Sequence, residues 1–171
     1  MTTNNKFITL LSGIRTLVTA ISASVGVADA NKIVATGSDG KLDSTLMPAG
    51  IGAATENMIA SEALAAGDFI NIWLDAGTRK ARKADASNGR AAMGFVMNSV
   101  AANANATVTL QGTNTALTGL TVAARYYLSA TIAGSLTTTS PNTSGQISQS
   151  LGFAVSTTSI NFEYDDPISI Q

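Results

Sequence analysis

Apolar residues near the start of the chain recur at alternating spacings of four and three. The series runs from Phe7 to Ala28 and would place its side chains on one stripe of an α-helix. In heptad terms Leu or Val occupies the a positions and Ile occupies two of the four d positions, which favours three or more helices over two. The pattern predicts an amphipathic helix with an interface formed by Phe7, Leu11, Ile14, Val18, Ile21 and Val25.

Two kinds of partner are open for this helix. Its stripe would pack against copies of itself or dock on another surface, whether its own domain or a different protein. Charge pairs at the e and g positions are missing, and three heptads are the minimum for a coiled coil. Gly26 and Asp29 predict the end of the helix. The first predicted segment is therefore residues 1–30, a polar arm followed by an oligomerisation helix.

Residues 31–56 form a predicted connector. The tetrad Gly37-Ser38-Asp39-Gly40 predicts a turn between two extended flanks, and hence a hairpin. Asp39 and Asp43 lie near glycines, as in calcium loops, but an EF-hand needs more oxygen ligands and a terminal Glu. We therefore expect no calcium site. Pro48 and the glycines after it indicate an extended linker.

From Asp68 onward, short apolar or alternating runs are separated by Gly, Pro, Asn and Asp. Tyr126 and Leu128 fall on one face of a strand, Gly134 marks a turn, and Gly152 marks a bulge. Predicted strands cover 69–74, 78–84, 92–98, 106–111, both sides of Gly134, 147–156, 159–164 and 168–170. About nine strands at this spacing predict a mainly β fold over residues 57–171, a small antiparallel β-barrel or sandwich.

Cationic residues cluster on one of these strands and just after it: Arg79, Lys80, Arg82, Lys83 and Arg90. One interpretation is a contact patch for an anion or an acidic partner. The other, which we favour, is a solvated edge strand protected from pairing by its charges. The acidic residues Glu163, Asp165 and Asp166 could complement the cluster within or between subunits.

Composition narrows the function. The chain has 171 residues, a net charge of −1 and only 12% charged residues, which favours association. It contains no cysteine and no histidine, so disulfides, thiolate chemistry and histidine-ligated metals are excluded. There is no long basic block for nucleic acid and no glycine-rich phosphate loop. Trp73 lies in an apolar run and is expected in the core, which leaves no aromatic platform for a glycan.

Catalysis and membrane association are not expected either. Most carboxylates lie at turns, where backbone capping explains them, and the Ser and Thr hydroxyls have no histidine base. We therefore predict no enzyme, no cofactor and no small-molecule substrate. Lys6, the apolar run after it and Ala28-Asp29-Ala30 imitate a secretory signal, but Arg15 interrupts the apolar run. No run is long enough to span a membrane.

Two stretches carry a resemblance to a known family. The sequence KIVATGSDGKLDSTLMPAGIG resembles a connector near the start of tailed-bacteriophage fibre and capsid-decoration proteins. The runs RKADASNGRAAMGFV, GTNTALTGLTVAARYYLSATIAGSLTTTSP and SLGFAVSTTSINFE resemble the β-module of the same proteins. The resemblance covers about residues 31–170. It departs at Ala123-Ala124, where Pro-Gly or Ala-Gly would be more usual, and this leaves the turn type open.

The resemblance implies a virion protein made in the host cytoplasm. Members of this family are homotrimers that cement the outer capsid surface or form short fibres. The first expectation is a capsid decoration protein that binds the major capsid protein and stabilises the head. The alternative is a tail-fibre or tail-spike component that contacts a host receptor.

Overall fold

The computed structural model describes residues 6–47 and 54–171, and the chain divides into two compact units, residues 1–52 and 53–171. Strands dominate the described residues, so the predicted mainly β fold is confirmed. Helix is limited there to three short 3-10 segments, Val27–Asp29, Ser44–Leu46 and Ala86–Asn88. The strands are β1 (Lys6–Leu11), β2 (Ile14–Thr19), β3 (Thr55–Ala60), β4 (Phe69–Asp75), β5 (Thr78–Lys83), β6 (Gly94–Val96), β7 (Asn105–Thr109), β8 (Gly112–Asn114), β9 (Arg125–Leu128), β10 (Leu136–Thr137), β11 (Ile147–Ser148), β12 (Ser150–Ala154), β13 (Ile160–Phe162) and β14 (Ile168–Ser169).

The first unit begins with an antiparallel hairpin. Strands β1 and β2 pair without interruption from Lys6 opposite Thr19 to Leu11 opposite Ile14. The connecting residues Ser12 and Gly13 have φ values of 50° and 82°. Positive φ at both central residues defines the type I′ turn, whose twist matches that of the flanking strands.

The predicted N-terminal helix is therefore wrong, and the hairpin explains why the pattern misled. A two-residue turn pairs Phe7 with Val18 and Leu11 with Ile14. These four residues are four, three and four positions apart along the chain. The spacing that places them on one stripe of a helix therefore also places them on one face of a hairpin. The β-branched residues favour strands over a helix, and the Ser-Gly pair favours the tight turn between them. Ile21 lies beyond β2 and forms a parallel bridge with Val34.

Side-chain caps organise the loops of the first unit. Asp29 accepts hydrogen bonds from the backbone N–H of Val25 and from Lys32 Nζ, both at 2.6 Å. The Asp43 carboxylate accepts from the Thr45 backbone N–H at 2.9 Å. These local hydrogen bonds explain why carboxylates occur at these two turns, and no metal ion is needed to explain them. The turn predicted after residue 36 is present, with Gly37 N–H donating to the Lys41 carbonyl at 2.8 Å, but its flanks form no strand ladder.

The second unit contains a closed five-stranded barrel with the order β3-β5-β4-β6-β7. Its pairs are antiparallel except β3 with β5, where Ile59 lies opposite Lys80 in parallel register. The barrel prediction is confirmed, and the parallel pair corrects the expectation of a wholly antiparallel one. Because β5 pairs on both sides, its interpretation as an edge strand is wrong. The barrel core consists of Met58, Ala60, Leu64, Ile70, Ala81, Val96, Ala106 and Val108.

A second, antiparallel sheet has the order β10-β9-β12-β13-β8, and β11 pairs separately with β14. Its inner face shares a hydrophobic core with the barrel, in which Phe69 and Phe95 meet Phe162 at ring-centroid distances of 5.6 and 6.0 Å. Tyr126 and Leu128 lie on one face of β9 as predicted, and both are buried.

Ala123 and Ala124 lie in a tight turn. Ala124 N–H donates to the Thr121 carbonyl at 3.1 Å, and Ala123 has a φ of 64°. A positive φ at this place in a turn normally selects glycine. The alanine therefore keeps the turn and costs about 1 kcal/mol of backbone strain.

The predicted bulge at Gly152 is confirmed. Ser150 lies opposite Tyr127, but Gly152 lies opposite Tyr126 and Phe153 opposite Arg125, so one extra residue enters β12. The extra residue reverses the alternation of side chains. As a result Phe153 faces outward and is 50% exposed.

We predict that Gly152→Ala destabilises the second unit far more than Gly112→Ala. The two glycines have similar φ values, 118° and 125°. A Cβ at residue 152 would lie 2.2 Å from the Asn161 carbonyl oxygen, whereas nothing lies within 4 Å of one at residue 112. We expect a loss of about 1–2 kcal/mol at residue 112 from backbone strain and at least about 2 kcal/mol more at residue 152 from the clash. Urea unfolding measures both, and equal losses would contradict the assignment of the bulge.

A second prediction concerns the stability of the first unit at low pH. The hydrogen bond from Lys32, followed by that from Val25, lowers the pKa of Asp29, and Thr45 lowers the pKa of Asp43. Because each folded pKa lies below the unfolded value of about 3.9, each carboxylate stabilises the first unit above that pH and loses its effect as pH falls through the folded pKa. We expect the Val25 amide resonance to titrate with Asp29. Asp29→Asn should abolish that titration and leave the Thr45 amide, which reports Asp43, unchanged; loss of both would show that the caps are not local.

Candidate functional site

The outer face of the second sheet carries an open groove of about 450 Å³. It lies wholly within the second unit, over β12, β13 and the residues that follow them. The side chains and backbone that line it belong to Ser150, Gly152, Phe153, Val155, Asn161, Glu163, Tyr164 and Asp165.

One row of side chains crosses four neighbouring strands of this face. The register places Arg125 beside Phe153, Phe153 beside Asn161, and Asn161 beside Thr113. The Arg125 guanidinium lies 4.9 Å from the centre of the Phe153 ring, within the range of a cation–π interaction. Alternation along β13 makes Asn161 outward because its neighbours Ile160 and Phe162 are buried. The register of the sheet therefore determines which side chains lie next to one another in this row.

The far wall of the groove is the segment after β13. Buried Gln149 fixes this segment, since its Nε2 donates to the Asp165 carbonyl at 2.9 Å. The same side chain exchanges two hydrogen bonds with the backbone of Ala92, at 2.7 and 2.9 Å. Tyr164 is 48% exposed beside the groove. Partial burial, and then the charge of Asp166, raise the pKa of its hydroxyl, so it stays protonated near neutral pH.

The sequence alone does not reveal this groove. We expect no aromatic platform from the sequence, yet Phe153 and Tyr164 both expose about half their surface here. The available signal was the predicted bulge itself, since an extra residue at Gly152 shifts the phase of the strand and turns the next side chain outward. In chemical terms the groove combines aromatic surface, one amide and carboxylates. No three acidic side chains of the described residues are placed to hold a metal ion together.

Three of the five cations in the predicted basic cluster form ion pairs with carboxylates. Ion pairs join Arg79 to Glu56, Lys80 to Asp75 at 2.7 Å, and Lys83 to Asp68 at 3.2 Å. The cluster is therefore largely balanced within the second unit. Its role as a contact patch stays a prediction.

Arg82 has a different environment from the rest of the cluster. Its guanidinium lies 4.7 Å from the centre of the Trp73 ring, and its Nε donates to Asn71 Oδ1 at 2.9 Å. Burial, and then repulsion from Arg90, lower its pKa. Trp73 is only partly buried and donates to Ser61 Oγ at 3.3 Å, so its predicted place in the core is wrong.

The predicted interface residues of the first unit fall on the hairpin and the loop after it. Phe7 is 46% exposed, Ile14 69% and Val25 86%, while Val18 and Ile21 are partly buried. The side chain of Leu11 lies outside the described residues. The hairpin also exposes three further apolar side chains: Ile8, Leu10 and Leu17. Whether these residues contact a partner stays a prediction.

Comparison of the chain with models of known protein families, with curated proteins and with solved structures found no match. Within residues 6–47 and 54–171, no helix is long and apolar enough to cross a membrane.

We predict that Arg82→Ala lowers the stability of the second unit by about 1–2 kcal/mol, because it removes a cation–π contact and a hydrogen bond. Arg79→Ala is the matched control; its exposed ion pair should contribute about 0.5 kcal/mol or less. Urea unfolding followed by circular dichroism gives both values. Arg82→Lys keeps the charge but loses the planar set of N–H donors of the guanidinium. If this variant were as stable as the parent, the assigned role of the guanidinium would be contradicted.

Proposed function

We propose that this protein is a structural component of a tailed-phage virion, a decoration protein that binds the outer capsid surface as a homotrimer and stabilises the head. The observation that carries the proposal is the apolar hairpin of the first unit. Among the described side chains of residues 6–47, no apolar one is fully buried. The described part of this unit therefore has strands and turns but no apolar side chain that is fully buried.

Such a hairpin depends on a partner. An isolated two-stranded hairpin is marginally stable in water. Here apolar side chains occupy both faces, with Ile8 74% exposed on one and Ile14 69% exposed on the other. Contiguous exposed apolar surface is typical of interaction sites. The low charge of the chain supports the same interpretation, because it weakens repulsion between copies.

The nature of the partner comes from the resemblance to phage decoration and fibre proteins. Because residues 6–19 form a hairpin and not a helix, the heptad pattern gives no evidence for a trimer, and the number three rests on that resemblance alone. A protein with weak contacts in each of several copies gains lasting attachment through effective concentration. We therefore place the hairpin at the contacts with other copies or with the major capsid protein.

A tail-fibre or tail-spike role is the second candidate, and the groove favours it. Half-exposed rings beside hydrogen-bonding side chains suit recognition of a ligand more than attachment to a capsid. Copy number separates the two roles. A decoration protein should approach the abundance of the major capsid protein in purified virions, whereas a tail component should match the other tail proteins.

We predict that the double variant Ile8→Asp, Leu17→Asp fails to join the particle. These residues are opposite one another in the hairpin, and burying unpaired carboxylates costs several kcal/mol in each copy. Purified heads that lack the protein are mixed with each variant, and bound protein is quantified. We expect at least about a tenfold loss, with lower heat resistance of the head.

The control variant is Ile132→Asp, which places a charge on a residue of the second unit that is already 65% exposed. It should bind as the parent does. Unfolding of the second unit should be unchanged in all variants. Normal binding by the double variant would remove the hairpin from assembly, and light scattering that returns a monomer at all concentrations would contradict the trimer.

A further inference from the structure

The groove on the second sheet is not used by the proposed attachment through the hairpin. We propose that it is a carbohydrate-binding site for a neutral glycan. The rings of Phe153 and Tyr164 would contact the apolar face of a sugar, and Asn161 with the neighbouring carboxylates would bind its hydroxyls.

The aromatic surface is the first argument. Phe153 is 50% exposed and Tyr164 48% exposed on the same groove. The strand itself exposes Phe153, because the bulge at Gly152 turns this side chain outward. Leu151, before the bulge, and Ala154, after Phe153, are both buried. Bulges commonly re-aim a side chain next to a binding site. Gly152 also lines the groove and adds no side chain to its floor.

The polar groups are the second argument. Asn161 carries an amide with both donor and acceptor capacity, and Glu163 and Asp165 add acceptors. Among the hydrogen bonds of the described residues, the Asn161 side chain accepts only one, from Thr113 at 3.5 Å. Its remaining capacity faces solvent in the groove. Hydroxyl groups of a sugar, each both donor and acceptor, match this set.

Charge selects the class of glycan. Glu163 and Asp165 line the groove, whereas the nearest cation in the row, Arg125, is held over the Phe153 ring. Carboxylates repel sialic acids and phosphate groups and leave neutral sugars unaffected. Carboxylates also argue against a protein partner, because charged residues are depleted from the centres of protein interfaces. The volume of about 450 Å³ lies within the range of ligand sites.

The test uses the full chain, biotinylated and displayed on tetravalent streptavidin so that weak sites gain avidity. The probe is an array of neutral glycans with their sialylated counterparts. We expect binding to a subset of the neutral glycans and weaker binding to the same glycans once sialylated. Absence of binding to any neutral glycan, or preference for the sialylated forms, would overturn the proposal.

Variants locate the site. Phe153→Ala should weaken binding to the glycan found by about tenfold or more, the loss expected from one aromatic contact, and Tyr164→Ala should weaken it too. Phe153→Tyr keeps a ring and should retain binding. Leu74→Ala, which shortens an apolar side chain 66% exposed on the barrel, is the control and should change nothing.

Circular dichroism and urea unfolding must show that each variant is folded. Unchanged binding by folded Phe153→Ala would remove the groove from recognition. This experiment needs no particle, so its failure leaves the proposed decoration role untouched, and a failure of the hairpin variants to affect assembly leaves the glycan site untouched.

Discussion

Three phenylalanine rings hold the second unit together. Phe69 comes from β4, Phe95 from β6 and Phe162 from β13, and all three are fully buried. Their tilted and edge-on contacts are the favourable geometries for aromatic pairs. Two of the rings belong to the barrel and one to the sheet, so the cluster fixes one against the other. Because Phe162 points inward from the strand that carries Asn161, the same cluster also fixes the floor of the groove.

Buried polar side chains complete this connection. Gln149 joins the sheet to the backbone at Ala92 and to the segment that forms the far wall of the groove. Asn114 is fully buried, donates to the Gly67 carbonyl at 2.9 Å and accepts from the Ala116 N–H at 3.1 Å. A buried amide with its partners in place specifies one arrangement, since any other would leave it unsatisfied.

The sequence predicted the local structure of the second unit well and its long-range structure less well. Apolar and alternating runs predicted most of the strands but not β3 or β8, and turn residues such as Gly134 and Gly152 predicted their ends and irregularities. Nothing local indicates that β3 pairs with β5 in parallel, because that contact depends on closing the barrel. The hairpin of the first unit was missed because its spacing is shared by a helix and by two strands joined through two residues. The groove is hard to predict because it depends on the phase shift at Gly152, which exposes Phe153, and the number of aromatic residues does not show that shift.

The uncovered hairpin has a consequence for the life of the protein in the cell. The ribosome makes residues 6–19 before it makes the barrel, so the apolar strands leave the tunnel while the rest of the chain is still being translated. Apolar strands that are exposed during synthesis promote aggregation. In the proposed role, prompt assembly would cover these strands and so protect newly made molecules from aggregation as well as stabilise the particle.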